Sequence, residues 1–351
     1  MGSKREQPAL LVRADGDATR GSGHLMRCTA LAEAWCARGG AAFFLTRCVN
    51  ETLRARIQRA GAEILPLPDD ADLQTTLSSI TEVNPSFVVL DGYDFHLEYQ
   101  RELRSAGCRL MIIDDAGWLP RYETNVLLNQ NLGAERLEYN VNSDATLLLG
   151  PQFALLRREF SVWRSRLHTV PETARKLLVT LGGSDPENVT LKVVQALRQL
   201  EMARLQIRVV AGPVNPHLSE LSAAAAVFPG RLELLSHVTE MAPLMAWADI
   251  AVTAGGSTCW ELACVGLPAL AVVIAENQRV IAEELSAAGV VFNLGSHQEV
   301  TIDRIASSID GLLYSTFRRL RMSERGRALV DGKGADRVAA LLLQHSCIRA
   351  A

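Results

Sequence analysis

Short, continuous apolar runs recur along this chain, and many are followed by apolar residues at helical spacing. No other feature constrains the fold as strongly. The first run, Ala9-Leu10-Leu11-Val12, stops at a polar, Gly-rich turn and reopens with Leu25, Cys28, Leu31, Ala32 and Trp35 at helix spacing. Runs at 41–46, 63–67, 86–94, 109–115, 126–131 and 146–150 follow, with helical stretches at 51–60, 71–83 and 97–106. Strands that are apolar throughout, rather than at alternate positions, are covered on both faces, which predicts an α/β chain built on parallel sheet. A second series starts at 176–181 and continues at 206–211, 232–235, 248–254 and 269–274. Helices at 302–313, 317–330 and 336–344 close it. With 351 residues the chain exceeds one ordinary core. The expectation is two Rossmann-like domains facing a central cleft, 8–172 and 173–351, joined where the pattern changes character between 152 and 175.

Charge and cysteines narrow the function. A formal net charge of −3 gives no footprint for nucleic acid. The basic run Arg318-Arg319-Leu320-Arg321 reads as a solvated helix face. The seven cysteines form no C-x-x-C pair and none sits at zinc spacing from a histidine. An odd number of cysteines within apolar stretches fits a reducing compartment. The N-terminus lacks an apolar signal core, and no window approaches the ~18 apolar residues of a membrane span. A cytoplasmic protein without a membrane span is expected.

Polar residues gather where strands end. In the opening turn a strand gives way to a helix N-terminus, an anion-friendly spot, with His24 in the first helical turn. Asp15, Asp91, Tyr93, Asp94, Asp114, Asp115, Asn129 and Asn131 stand at the carboxyl ends of other strands, where open α/β sheets bind ligands. Singly, such residues also cap helices and make turns. The second half repeats the strand–turn–helix arrangement twice, at Gly182, Gly183 and Ser184 and at Gly255, Gly256, Ser257 and Thr258. Paired turns of this kind supply N–H donors for a diphosphate with no metal and no cofactor. The Ser184 or Thr190 hydroxyl could assist at the first turn. Glu261, one helical turn inside the second helix, could accept from the hydroxyls of a ribose or simply complement the helix dipole.

These residues carry a resemblance. Arg13-x-Asp15, then Gly21-x-Gly23-His24-x-x-Arg27-Cys28, resembles the N-terminal signature of the pseudaminic-acid pathway UDP-sugar hydrolases (PseG) and the related spore-coat SpsG proteins. The likeness continues through Val89-Leu90-Asp91-Gly92-Tyr93, Ile113-Asp114-Asp115 and Leu128-Asn129-Gln130-Asn131. It resumes at Leu181-Gly182-Gly183-Ser184-Asp185-Pro186, at Ala254-Gly255-Gly256-Ser257-Thr258-x-x-Glu261 and at Glu276-Asn277-Gln278. The stretch Ala116-Gly117-Trp118-Leu119-Pro120-Arg121-Tyr122 departs from the more polar family pattern.

The resemblance implies a GT-B fold. It also implies metal-independent, inverting hydrolysis of UDP-2,4-diacetamido-2,4,6-trideoxy-β-L-altropyranose at C1. That step belongs to the biosynthesis of pseudaminic acid, a nonulosonic acid of surface glycans such as those on flagellin. It assigns the essential histidine to His24, the sugar-side tyrosine to Tyr93 and the asparagine near the nucleotide to Asn277. Arg13, Arg27, Asp91 and Gln278 fall on motif positions expected to contact substrate. Asp15 is expected to orient His24 or the attacking water, and Gly21 and Gly23 to let His24 approach the anomeric carbon. The partner is a small UDP-sugar; the oligomeric state stays open, a monomer included. The alternative is a GT-B glycosyltransferase using a UDP-amino sugar donor, similar to the lipid-intermediate N-acetylglucosaminyltransferases.

Overall fold

The computed structural model describes residues 7–17, 21–68, 71–166, 170–200, 205–212, 214–236 and 238–347, the side chains of 346 and 347 excepted. The tip of the opening turn, 18–20, and the Cys347 side chain therefore lie outside the described residues. The chain divides into two compact units. Unit 1 comprises Met1–Gly16, His24–Arg158 and Lys333–Ala351; unit 2 comprises Asp17–Gly23 and Glu159–Gly332.

The elements run β1 (Ala9–Ala14), α1 (Gly23–Cys36), β2 (Ala41–Leu45), α2 (Glu51–Arg59), β3 (Ala62–Leu65), α3 (Asp72–Val83), β4 (Phe87–Asp91), α4 (Leu97–Ser105), β5 (Leu110–Ile113), β6 (Val126–Asn129) and β7 (Thr146–Leu149). Next come α5 (Arg158–Arg164), β8 (Lys176–Thr180), α6 (Val189–Leu197), β9 (Gln206–Val210), α7 (Leu218–Ala226), β10 (Arg231–Leu235), α8 (Ala242–Trp247), β11 (Ile250–Ala254), α9 (Thr258–Val265), β12 (Ala269–Val273), α10 (Arg279–Ala287), β13 (Val291–Ser296), α11 (Ile302–Tyr314), α12 (Thr316–Leu329) and α13 (Gly334–Cys347).

Both units are Rossmann-like. The sheet of unit 1 is ordered β3-β2-β1-β4-β5-β6-β7 and that of unit 2 β10-β9-β8-β11-β12-β13, every described pairing being parallel. The strand order reverses between β1 and β4 in the first sheet and between β8 and β11 in the second. These are the switch points, outside whose carboxyl ends such folds leave a crevice. In unit 1, Leu11, Val88, Leu90, Leu110 and Leu127 pack with Phe95 and Leu103. In unit 2, Val179, Val252 and Leu270 pack with Val193 and Leu197 of α6 and Ile305 and Ile309 of α11. Central strands buried on both faces carry no polar alternation, which is why their runs are legible as strands.

Three elements depart from the sequence reading. The α7 helix is alanine-rich and buries Leu221 as its one fully covered side chain, so it has no apolar stripe to detect. In β13, an edge strand, Asn293 and Gly295 interrupt the apolar run, and its register against β12 shifts between Ala271 and Val273. The short α5 lies in the stretch read as a linker. The basic run of α12 also needs correcting. Arg319 is fully buried, not solvated. Its guanidinium donates to the carbonyls of Leu312 (2.6 Å) and Leu313 (2.5 Å), in the last turn of α11, and to Pro171 (2.6 Å) and Glu172 (2.9 Å) ahead of β8. It caps the negative end of one helix and pins the lead-in to a strand.

The α13 helix belongs to unit 1. It buries Ala335, Val338, Ala339 and Leu342. Asp336 accepts from Arg38 at 2.5 Å, Arg337 donates to the Gln152 carbonyl at 2.8 Å, and Arg109 donates to the carbonyl of His345.

Candidate active site

In unit 1 the switch point is furnished by the first turn of α1 and the ends of β1, β4, β5 and β6. His24 Nδ1 lies 2.6 Å from Asp91 Oδ1, at the C-terminal end of β4. That distance to an ionised carboxylate requires Nδ1 to carry the proton and donate it. With Nδ1 as the donor, Nε2 is the ring nitrogen that can accept a proton. Arg27, one helical turn on, holds Asp91 in a fork: Nε donates to Oδ2 at 2.7 Å and one terminal nitrogen to Oδ1 at 2.6 Å. The same guanidinium clamps Asp115 at 2.7 and 3.0 Å. Asn131 donates to the Asp115 carbonyl at 3.0 Å, and Asn129 accepts from the Asn131 backbone at 2.9 Å. Burial alone would push the Asp91 carboxyl up, but the Arg27 guanidinium and then His24 outweigh it and hold Asp91 well below the usual carboxylate range. Tyr93, half-exposed, stands edge-on to the His24 ring at 5.2 Å between centroids.

Arg13 and Asp15 form a separate network beside this pair. Arg13 is 1% exposed and donates to Asp15 at 2.7 Å and to Asp72 at 2.6 Å. Asp15 also accepts from the Arg47 backbone at 2.8 Å and pairs with the Arg47 guanidinium at 3.3 Å. Tyr99 donates to Asp72 at 2.8 Å. Burial raises Asp72, but hydrogen bonding and charge from Arg13 dominate and bring it down to about 2. The structure thus brings His24, Arg27, Asp91 and Tyr93 together, with Asp91 as the carboxylate on the imidazole. Arg13 and Asp15 sit in the adjoining ion cluster.

In unit 2 the two Gly-Gly-Ser turns flank the other switch point, one following β8 and one following β11. Gly182 has φ +90°, and Gly183 offers its carbonyl to the Val214 N–H at 3.2 Å. Gly212 backs this turn so closely that an added Cβ would lie 2.3–2.4 Å from the carbonyl oxygens of Gly183 and Gly182. Residues Gly21, Ser22 and Gly23 lie against the same turns. A Cβ on Gly183 would meet Ser22 Oγ at 2.5 Å, one on Gly21 would sit 3.8 Å from Ser184 Oγ, and one on Gly23 3.4 Å from Ser257 Oγ. The demand for a missing side chain here falls on Gly183; a Cβ on Gly21 or Gly23 would make only ordinary contacts, and Gly21 is set instead by its φ of +75°.

The two turns differ at the helices they feed. Asp185 accepts from the N–H groups of Val189 (2.9 Å) and Thr190 (2.8 Å), so a carboxylate already occupies the N-terminus of α6, and Thr190 is buried behind it. At α9 the N-cap residue, Ser257, makes no side-chain capping bond. Ser257 and Thr258 stand there, with Glu261 in its first turn. Gln278 supports this second turn: its Oε1 accepts from Ile274 N at 3.2 Å, and its side chain lies against Gly255 and Gly256. Asn277 is exposed in the single helical turn after β12. Among the described residues, no group of three His, Cys, Asp or Glu side chains is arranged to hold a metal ion. No helix among them is long and apolar enough to cross a membrane.

Comparison with known proteins identifies the fold class. MurG of Acinetobacter baumannii superposes with a TM-score of 0.66 at 15% identity, covering 96% of this chain and 99% of that one. The fold is GT-B-like, as the two sheets imply. Residues 177–335 match the Glycosyltransferase family 28 C-terminal domain. Over 333 residues, 94% of this chain and 96% of the relative, the sequence is 25% identical to the spore coat polysaccharide biosynthesis protein SpsG of Bacillus subtilis (strain 168). It is also 26% identical over 237 residues to a Helicobacter pylori (strain ATCC 700392 / 26695) protein, pseudaminic acid cytidylyltransferase and UDP-2,4-diacetamido-2,4,6-trideoxy-beta-L-altropyranose hydrolase. That match spans 64% of this chain but 40% of the relative.

Sequence reasoning reached His24 and both turns. It missed three supports. Asp91 as the partner of His24 lies 67 residues away, a pairing that only the strand order creates. Gly212, after strand β9, carries no motif of its own, and Asp185, although inside the Gly-Gly-Ser motif that begins at Leu181, is not read from it as the cap of α6.

Proposed function

We propose that this protein hydrolyses a UDP-linked 2,4-diacetamido-2,4,6-trideoxyhexose, releasing UDP by inverting attack of water at C1. The observation that carries the reading is the His24–Asp91 pair, in which Nδ1 faces the carboxylate and Nε2 is the nitrogen available to act as base. A water on the face of C1 opposite UDP donates its proton to Nε2 as its oxygen bonds to C1. The C1–O bond to UDP breaks, and its electron pair leaves with the diphosphate. The departing charge is met by N–H donors of the turns at 182–184 and 255–258, the second at the N-terminus of α9, where Ser257 makes no side-chain capping bond, whereas Asp185 already occupies the N-terminus of α6. This scheme assigns no step to a metal. Gly21 and Gly23 let His24 approach C1, Glu261 serves the ribose, and Tyr93 and Asn277 the sugar and its phosphates; Gln278 supports the second turn. Arg13, Asp15 and Arg27 act behind these contacts, by holding the strand ends in place. The likeness to the Helicobacter pylori hydrolase supports the substrate class.

Turnover in oxygen-18 water checks the bond broken. Label is expected on the C1 hydroxyl of the released sugar; label on UDP overturns the scheme. His24→Asn is expected to lower kcat by about 10²–10⁴-fold, the usual range for a lost general base, with UDP affinity retained. The match to the Glycosyltransferase family 28 C-terminal domain favours a second reading, transfer of the sugar to an acceptor. UDP release without any added acceptor distinguishes hydrolysis from transfer.

A further inference from the structure

Three aromatic rings stand in series at the mouth of the unit 1 site. Tyr93 meets His24 edge-on at 5.2 Å, and Trp118 meets Tyr93 edge-on at 5.9 Å with an interplanar angle of 80°. Trp118 is 55% exposed and Tyr93 44% exposed, whereas Trp35 and Trp260 are fully buried. Large exposed aromatics placed beside a catalytic base need a reason, because each forgoes the burial that its apolar surface favours.

The segment carrying Trp118 is held by its neighbours. Asp114 Oδ1 accepts from the N–H groups of Ala116 (3.0 Å) and Gly117 (2.5 Å), while Oδ2 accepts from the Tyr122 hydroxyl at 2.9 Å. Tyr122, itself buried, accepts from Leu119 N at 3.1 Å. Gly117 takes φ +70°, which turns the chain outward just before the tryptophan. Four hydrogen bonds converging on one carboxylate and one phenol hold the loop that presents Trp118, and its exposed indole faces Tyr93.

We propose that Trp118 is a specificity-determining residue for the sugar, forming with Tyr93 an aromatic wall for its methyl-bearing surface. The inference rests on the hydrolase reading above for its substrate class. A 2,4-diacetamido-2,4,6-trideoxyhexose carries three methyl groups, one at C6 and one on each acetamido substituent. A hexose with a 6-hydroxyl and one acetamido group carries a single methyl. An indole face favours the first surface over the second through burial of apolar area. The wall begins at the base itself, so a sugar seated on it is presented to His24.

Two readouts test this. In kinetics, Trp118→Ala is expected to raise KM for the diacetamido-trideoxy substrate roughly tenfold or more while leaving kcat within about threefold. Trp118→Phe recovers most of the loss, and inhibition by free UDP is unchanged in both variants. Preference over UDP-N-acetylglucosamine falls by the same factor in Trp118→Ala. Unchanged KM and unchanged preference overturn the proposal. In binding, the tryptophan fluorescence of the wild type is titrated with the UDP-sugar and with UDP, against Trp118→Phe as background. A change with the UDP-sugar alone that disappears in Trp118→Phe supports the wall; no such difference, or an equal change with UDP, overturns it. This titration needs no turnover, so absence of hydrolysis defeats the catalytic reading without deciding the fate of the wall.

Discussion

Asp91 is the residue on which the unit 1 site depends, because it answers three groups at once. It accepts from His24, receives the Arg27 fork, and accepts the Cys28 thiol at 3.3 Å. Replacing it by Asn keeps the shape but lets an amide donate to Nδ1, which moves the ring proton to Nε2 and removes the base. Asp91→Asn is therefore expected to cut kcat by about 10²–10⁴-fold with UDP affinity little changed; an unchanged kcat means that Nε2 is not the base. Stability responds to pH with a definite sign. Asp91 ionises more readily when folded than its unfolded value of about 3.9. Its contribution is thus complete above about pH 4 and is lost as pH falls through the lower folded value. Asp72, brought down to about 2, acts in the same direction. Asp114 acts in the opposite one: burial outweighs its hydrogen bonds and raises it, so its ionisation costs stability as pH rises past about 4. Denaturant unfolding of Asp91→Asn should show a shallower loss of stability between about pH 4 and 2 than the wild type.

At the scale of elements, what could be read in advance follows from what each element buries. The strands β1, β4, β8 and β11 are buried at nearly every position, so their sequences are mostly apolar, with Arg13, Asp91, Lys176, Thr180 and Thr253 as the polar exceptions. The turns after β8 and β11 repeat Gly-Gly-Ser and are equally visible. The α7 helix and β13, which bury little or alternate imperfectly, left no comparable pattern. Pairings across the sheet, such as Ala14 with Asp91, are set by strand order and have no local signature. The same holds for Gly212, whose demand for a missing side chain comes from carbonyls about thirty residues earlier. Gly212→Ala must push those carbonyls aside, at a cost of about 1–3 kcal/mol. It should weaken UDP binding together with stability, as read by calorimetric titration and thermal melting. Full UDP affinity in a destabilised Gly212→Ala protein would remove the turn at 182–184 from the phosphate site.

At the scale of the whole molecule, neither unit is a continuous stretch of chain. Unit 1 takes its last helix from beyond the end of unit 2. Truncation after Gly332 removes the buried Val338 and Leu342 with their alanine neighbours, a loss of about 3–6 kcal/mol at ~1.5–3 kcal/mol for each large side chain. Hydrogen exchange on the truncated chain should show protection lost across unit 1 and kept in β8 and β11. Equal loss in both units would mean that α13 does not belong to unit 1 energetically.

The position of α13 also has a consequence for how the protein is made. A ribosome delivers the seven strands of the first sheet early and the helix that completes their unit last. At roughly 5–20 residues per second, the intervening stretch takes on the order of ten to forty seconds to synthesise. Throughout that interval the nascent first unit leaves uncovered the surface that α13 will bury, while the second unit emerges and folds behind it. Translation that stalls anywhere before α13 therefore yields an N-terminal product that carries His24 and Asp91 but lacks its closing helix, and this is the form a cell's chaperones and proteases would meet.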